Sequence, residues 1–271
     1  MVDAGAAAGR HSVVHGRPQL SADPLDGVVK PVGNSVRAVL FDLGNTLVEY
    51  YRASDFAPIL RESMDSVCDF LAERKSVVAD RDGAFQHALE LNTEDPGYRV
   101  RPLVGRLIEI FAEYELVDGD LSAMCDIFLR PIFRLGTLDA NALPTLAALR
   151  RKGIRTAIVS NTPWGSPAEG WAEELRRHGL MEAVDATVFC VDVGWRKPAP
   201  QIFQHALSLL DVDARDSVFV GDDPRQDVAG AERSGLRAIL IDPRGAVTDA
   251  PCPVIHSLIE LPSLLDSMTA E

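Results

Sequence analysis

Ala38-Val39-Leu40-Phe41-Asp42-Leu43-Gly44-Asn45-Thr46 is the stretch on which the reading of this chain turns. Four apolar residues in succession suit a short strand buried on both faces, the kind found in parallel sheets. A carboxylate just beyond its carboxyl end falls where open α/β sheets bind ligands, in the crevice past the strand ends. Asp42 can act there as a nucleophile toward phosphorus, with Thr46 placed to orient it or the transferred group. An isolated Asp after a strand also serves as an Asx turn or a helix cap, so the rest of the chain has to supply company.

Outward from this stretch, five apolar runs bounded by Gly, Pro or Asp read as buried strands: 36–41, 156–159, 186–190, 218–220 and 238–241. Helical patterns lie between the later ones, over 143–152 with Pro144 near its start and Gly153 after its end, then 169–178, 200–210 and 227–234. Strands alternating with helices imply right-handed crossovers and a Rossmann-like three-layer α/β/α core on a parallel sheet. Residues 254–265 read as a last short strand and helix. Between the first two strands the rhythm breaks. Residues 47–136 carry helical patterns at 61–74, 81–91, 103–114 and 121–133 and no convincing strand, which reads as an inserted all-helical cap domain over the strand ends. The division is then a loose tail at 1–35, a core of 36–46 with 137–271, and a cap of 47–136.

Three further pieces fall at strand ends. Ser160-Asn161 follows Thr156–Val159, and its hydroxyl can hold a phosphoryl oxygen, although Ser-Asn before Thr-Pro is also an ordinary turn composition. Lys197, in Gly194-Trp195-Arg196-Lys197-Pro198, is a compact ammonium that can hold two anions together; alone it would be a solvated charge. Gly221-Asp222-Asp223 with Asp227 puts three carboxylates round one strand end, where they repel unless a cation is present. Mg2+ suits such a set because it takes one or two carboxylates, keeps water and bridges to phosphate oxygen. The bland alternative is helix capping by Asp223 or Asp227.

The composition is that of an ordinary globular protein of 271 residues, 46% hydrophobic and 25% charged, large enough for a core and an insert. A formal net charge of -13 and the lack of a Lys/Arg stripe argue against nucleic acid as a partner. Cys68, Cys125, Cys190 and Cys252 are scattered, with no zinc spacing, and read as buried free thiols in a reducing cytosol. Neither a targeting pattern nor a run of about 18 apolar residues is found, so the expectation is a cytoplasmic protein without a membrane partner.

With all four pieces in order, Asp42 to Thr46, Ser160, Lys197-Pro198 and Gly221-Asp222 with Asp227, residues 36–267 resemble the haloacid dehalogenase superfamily of hydrolases, in its subgroup with an all-helical cap between the first two motifs. The resemblance implies a Mg2+-dependent phosphatase of a small phosphorylated metabolite, forming an aspartyl-phosphate on Asp42. It implies Mg2+ on Asp42, Asp222 and the carbonyl of Gly44, with Asp227 as direct or outer ligand. Ser160 and the Asn161 amide would bind the phosphoryl group and Lys197 would bridge it to Asp42. Dimer contacts in such folds use the cap, which allows a homodimer.

One position departs. Phosphatases of the superfamily carry, two residues after the nucleophile, an Asp that protonates the leaving oxygen and then activates water; here it is Gly44. Asn45 tolerates the left-handed backbone of the usual Gly, so the metal site can survive without the acid. Losing a general acid costs about 10²- to 10⁴-fold in rate, roughly 3 to 5 kcal/mol. Three readings follow. A leaving group that departs unaided, such as an anomeric sugar phosphate or an acyl phosphate, keeps a phosphatase; alternatively Glu49, Tyr50, Tyr51 or Arg52 supplies the proton. A 2-haloacid dehalogenase also lacks the second Asp but works without metal and has no use for the acidic cluster. The third reading is a catalytically weak binding or regulatory protein. A phosphonate-cleaving enzyme would need a cap lysine, for which Lys75 is the lone candidate, and a phosphomutase would need the missing Asp. Trp164 and Trp171 either stack on substrate or pack.

Overall fold

The computed structural model describes residues 35–76 and 78–270, so the tail expected over 1–35 lies outside the described residues apart from Ser35. Six parallel strands form the main sheet, in chain order β1 (Ala38–Phe41), β4 (Arg155–Ser160), β5 (Ala186–Phe189), β6 (Ser217–Gly221), β7 (Arg237–Ile241) and β8 (Val254–Ile255), arranged in space as β5-β4-β1-β6-β7-β8. The two intervening numbers, β2 (Val48–Glu49) and β3 (Thr137–Leu138), form a separate antiparallel pair. Period-two alternation sorts the strand side chains onto two faces. Ala38, Leu40, Ala157, Val159 and Phe219 pack beneath helices Pro200–Leu210 and Ala229–Arg233. Val39, Phe41, Ile158, Val218 and Val220 pack against helices Ala142–Arg151, Ala168–Arg177 and Leu261–Ala270. This is the three-layer α/β/α arrangement, and β1 sits at its centre, where the strand order reverses.

Between β2 and β3 runs a helical insert: α1 (Phe56–Lys75), α2 (Arg81–Leu91), α3 (Leu103–Ile110) and α4 (Asp118–Leu135). Buried Leu60, Met64 and Val67 of α1 meet Met124 and Phe128 of α4, and this cluster is continuous with the core on the β1 face bearing Val39 and Phe41. Ser63 Oγ, fully buried, donates to the Phe128 carbonyl at 2.8 Å and ties the two long helices together.

Five details differ from the sequence expectations. Residues 47–136 do contain a strand, β2, which with β3 makes the stem of the insert; two residues are too few to show a period. Helix α1 begins five residues early, at Phe56, and α3 stops at Ile110. The helix expected over 227–234 is split into a π-type turn, Pro224–Val228, and a short helix, Ala229–Arg233. Cys68, Cys125 and Cys190 are buried free thiols as expected, whereas Cys252 is only half-buried. No helix among the described residues is long and apolar enough to cross a membrane.

Candidate active site

Asp42 immediately follows β1, Ser160 ends β4, and Gly221-Asp222 ends and follows β6, so the parallel register delivers all three to one edge beside the reversal of strand order. The Asp42 N–H donates to the Val220 carbonyl at 2.9 Å, which continues the ladder one residue past the strand and fixes the carboxylate's origin. A cavity of about 330 Å³ opens there. Asp42, Gly44, Ser160, Asn161, Lys197, Asp222 and Asp227 line it together with Tyr50, Tyr51, Ile132, Trp171, Arg196 and Gln226. Thr46 is the one expected residue that does not: it lines a neighbouring cavity, and its hydroxyl is buried without a partner.

Lys197 is the electrostatic centre. Its ammonium is buried, 2.5 Å from Asp42 Oδ1 and 2.7 Å from Asp227 Oδ1. Burial works against the charge, but the carboxylates of Asp227 and Asp42 outweigh it and hold the Lys197 pKa above its usual value. Asn161 secures the backbone beneath: its Oδ1 accepts the Lys197 N–H at 2.8 Å, its Nδ2 donates to the Lys197 carbonyl at 3.0 Å and to Gln226 Oε1 at 2.7 Å. The Asn161 side chain thus positions Lys197 and has no free donor for a substrate.

Asp42, Asp222 and Asp227 each bring a carboxylate oxygen within 4.8 Å of the others. Burial, then the charges of Asp42 and Asp227, push the Asp222 carboxyl up to about 8. Burial likewise pushes Asp227 up, against the opposing pull of Lys197. Fully ionised, three carboxylates against one ammonium leave two negative charges in a buried place, and an all-oxygen donor set of that charge fits a hard divalent cation. Asp223 is the capping residue of the group: its Oδ1 accepts the N–H groups of Arg225 and Gln226, both at 2.8 Å. Gly221 makes the close approach of Asp227 feasible, since a Cβ there would lie 2.3 Å from Asp227 Oδ2.

At Gly44 the backbone does not demand glycine. A Cβ would meet only Tyr50 Cδ2, at 3.8 Å. Asn45 does take the left-handed conformation, φ 57°, and its side chain accepts the Tyr50 N–H and donates to the Tyr51 carbonyl, both at 3.3 Å. Of the four residues considered as substitute acids, Glu49 is exposed and pairs with Arg244 at 3.3 Å, and Arg52 is exposed. Tyr50 and Tyr51 reach the cavity. The Tyr50 hydroxyl donates to Glu174 Oε1 at 3.3 Å, and burial followed by the Glu174 charge raises its pKa; burial pushes Tyr51 up to about 12. Neither phenol is tuned to give up a proton near neutrality.

Lys75, the cap lysine, is paired with Asp120 at 2.8 Å and does not line the cavity. Trp164 packs on Phe128 and donates to Asn92 Oδ1 at 2.9 Å. Trp171 donates to Ser166 Oγ at 2.9 Å and also lines the cavity. Arg196 and Gln226 escaped the sequence reading; Arg196 stood inside the quoted lysine stretch, and its position beside Lys197 was the available signal.

The family model for haloacid dehalogenase-like hydrolases matches residues 36–235. Among curated proteins, the ribulose-1,5-bisphosphate 5-phosphatase of Halopiger xanaduensis is 31% identical over 226 residues, 76% of this chain and 84% of that protein. The glyceraldehyde 3-phosphate phosphatase of Methanothermobacter thermautotrophicus is 28% identical over 217 residues, covering 76% and 86%. Among solved structures, a 2-haloacid dehalogenase from Pseudomonas syringae aligns with TM-score 0.62 at 26% identity, covering 86% of this chain and 99% of that one.

Proposed function

The chain belongs to the haloacid dehalogenase-like hydrolases, and we propose that within this family it is a Mg2+-dependent phosphatase of small phosphorylated metabolites, with residues 47–136 as its cap. The observation that carries the reading is the buried Asp42–Lys197 pair, 2.5 Å apart, inside a cavity shared with Asp222 and Asp227. Relatives that cleave sugar phosphates support it.

In the first step an Asp42 carboxylate oxygen attacks phosphorus and the bond from phosphorus to the leaving oxygen breaks, giving an aspartyl-phosphate. Water then attacks that phosphorus, the bond to Asp42 breaks, and inorganic phosphate leaves. Lys197 offsets the repulsion between the Asp42 carboxylate and the incoming phosphoryl oxygens. The Ser160 hydroxyl and the Asn161 backbone amide hold the transferred group, and Asn161's side chain keeps Lys197 in register. Asp42, Asp222, the Gly44 carbonyl and Asp227 would hold Mg2+, which would supply charge neutralisation and Lewis acidity toward the phosphoryl group. With Gly44 in place of an acid and both tyrosines held protonated, the leaving group departs with little help. Good leaving groups, anomeric or acyl phosphates among them, are the expected substrates.

A carbon–halogen hydrolase is the second reading, favoured by Gly44 and by the structural likeness to a 2-haloacid dehalogenase. The acidic trio weighs against it. Phosphate release from sugar, acyl, aryl and alkyl phosphates, with Mg2+ and with chelator, separates the two. Metal-dependent release biased toward good leaving groups is expected; silence on phosphates with halide release from 2-haloacids would overturn the proposal.

A further inference from the structure

Two cationic side chains line the catalytic cavity, Lys197 and Arg196. The charge of Lys197 is taken up by Asp42 and Asp227. Arg196 is in a different state. Its Nε is buried without a hydrogen-bond partner, and the carboxylate of Glu94 stands 3.8 Å from its Nη2, outside hydrogen-bonding range. Glu94 is itself held by Arg225 at 3.0 Å. The Arg196 backbone, by contrast, is fixed: its N–H donates to the Tyr98 carbonyl of the insert at 2.9 Å. A guanidinium is thus carried at a defined place where insert and core meet, without the partner that burial of its Nε calls for.

Its surroundings reinforce the positive charge. Arg101 and Arg106 line a small adjoining pocket with Arg196. Burial, together with the charges of Arg101 and Arg196, lowers the Arg106 pKa to about 10, so the three guanidinium groups feel one another. In a chain of net charge -13, this small pocket gathers several arginines next to the cavity that Arg196 also lines. Ile132, Tyr50 and Trp171 in the cavity lining offer no charge. At about 330 Å³ the space takes a metabolite rather than a macromolecule.

We propose that Arg196 receives a second anionic group of the substrate, a carboxylate or a second phosphate, and so selects doubly anionic phosphorylated metabolites. The inference rests on the phosphatase reading of the same cavity. An anion there would complete the hydrogen bonding of the guanidinium, and a fork-shaped donor suits either oxyanion.

Two matched pairs test it: phosphoglycolate against ethyl phosphate, and fructose 1,6-bisphosphate against fructose 6-phosphate. Steady-state kinetics are measured for the wild type, Arg196→Gln and Arg196→Lys. The wild type is expected to favour the doubly anionic member of at least one pair by about 10- to 100-fold in kcat/KM, mostly through KM. Arg196→Gln is expected to bring that ratio close to one and Arg196→Lys to restore part of it. The pair that shows the preference tells carboxylate from phosphate. No preference in the wild type, or a preference that survives in Arg196→Gln, overturns the proposal while turnover itself upholds the phosphatase. If none of the four is hydrolysed, their alkyl leaving groups are too poor for a site with Gly44 in place of the acid, and calorimetric affinities of the same compounds decide the role of Arg196, the phosphatase reading being judged on acyl phosphates. Tighter binding of the doubly anionic member that is lost in Arg196→Gln upholds the role of Arg196, and equal affinities refute it.

Discussion

Gly44 lacks the one carboxyl group that would complete an acid–base phosphatase, and its surroundings have room for it. A Cβ would meet nothing closer than the Tyr50 ring at 3.8 Å, and no positive φ forces glycine there. Gly44→Asp is therefore expected to raise turnover of alkyl phosphates by about 10- to 100-fold, with a smaller gain on acyl phosphates, whose leaving groups need no proton. Phosphate-release kinetics on one substrate of each kind check this. The carboxylates next to it give a pH signature. Asp222 titrates near 8 in the folded, metal-free protein, mainly through burial and secondarily through Asp42 and Asp227, against an ordinary value of 3.8. Between those two values the folded chain holds a proton that the unfolded chain has released. Stability must then fall as pH rises through that window. Melts in chelator are expected to show Tm declining from about pH 6 to about pH 8, a slope that Mg2+ flattens because it keeps the ligands ionised. Residue types and spacing were enough to single out Asp42, Lys197, Asp222 and Asp227: Asp42 and Asp222 directly follow strands, and Lys197 and Asp227 lie in the segments beyond strand ends. The choice of Asp223 over Asp227 as the helix-capping residue, the clamp made by the Asn161 side chain and the exclusion of Thr46 from the cavity depend on side-chain directions that no spacing encodes.

Elements bring these residues together through close backbone approaches as much as through strand register. The loop of the insert at residues 92–101 lies against the core: Val100 N–H donates to the Gly194 carbonyl at 3.1 Å, and Arg99 stacks over Trp195 at 3.9 Å. Gly165 admits that loop, because a Cβ there would lie 2.6 Å from the Arg101 carbonyl, and its φ of 63° is left-handed. Gly165→Ala should therefore destabilise the protein by about 1–3 kcal/mol, through overpacking and backbone strain, and loosen the insert. Urea unfolding gives the stability change, and limited proteolysis of residues 92–101 should accelerate with it; an unchanged midpoint would show that the loop is not clamped. The five core strands were legible because continuous apolar runs bounded by Gly, Pro or Asp have few other uses. The β2–β3 stem was not, since two-residue strands carry no period. The π-type turn at Pro224–Val228 was not legible either: the helical pattern was read only over 227–234, and it suits a π-type turn at its start as well as a plain helix.

For the whole molecule, a ligand that binds only the folded state adds stability in proportion to its affinity. Mg2+ at about 100 times its dissociation constant adds about 2.7 kcal/mol, which for a protein of this size raises Tm by roughly 5–10 °C. The wild type should show that shift and Asp222→Asn should lose most of it, as read by calorimetric melts with and without the ion. The overall charge of -13 placed polyanions outside the reading from the start. It could not reveal the arginines gathered beside the cavity, because Arg101 and Arg106 of the insert are brought to Arg196 of the core only by the fold. The account as a whole stands on Asp42 as the nucleophile in a site without its own acid and base. Gly44 slows water's attack on the aspartyl-phosphate as it slows departure of the leaving group, so with a good leaving group the phosphoenzyme should accumulate during turnover. The decisive measurement is peptide mass mapping of enzyme acid-quenched while hydrolysing an acyl phosphate in Mg2+. The account predicts one added phosphoryl group on the peptide carrying Asp42, absent in Asp42→Asn, which should also release no phosphate. Phosphate release by Asp42→Asn at a substantial fraction of the wild-type rate, or a phosphoryl group found on another residue, would contradict it.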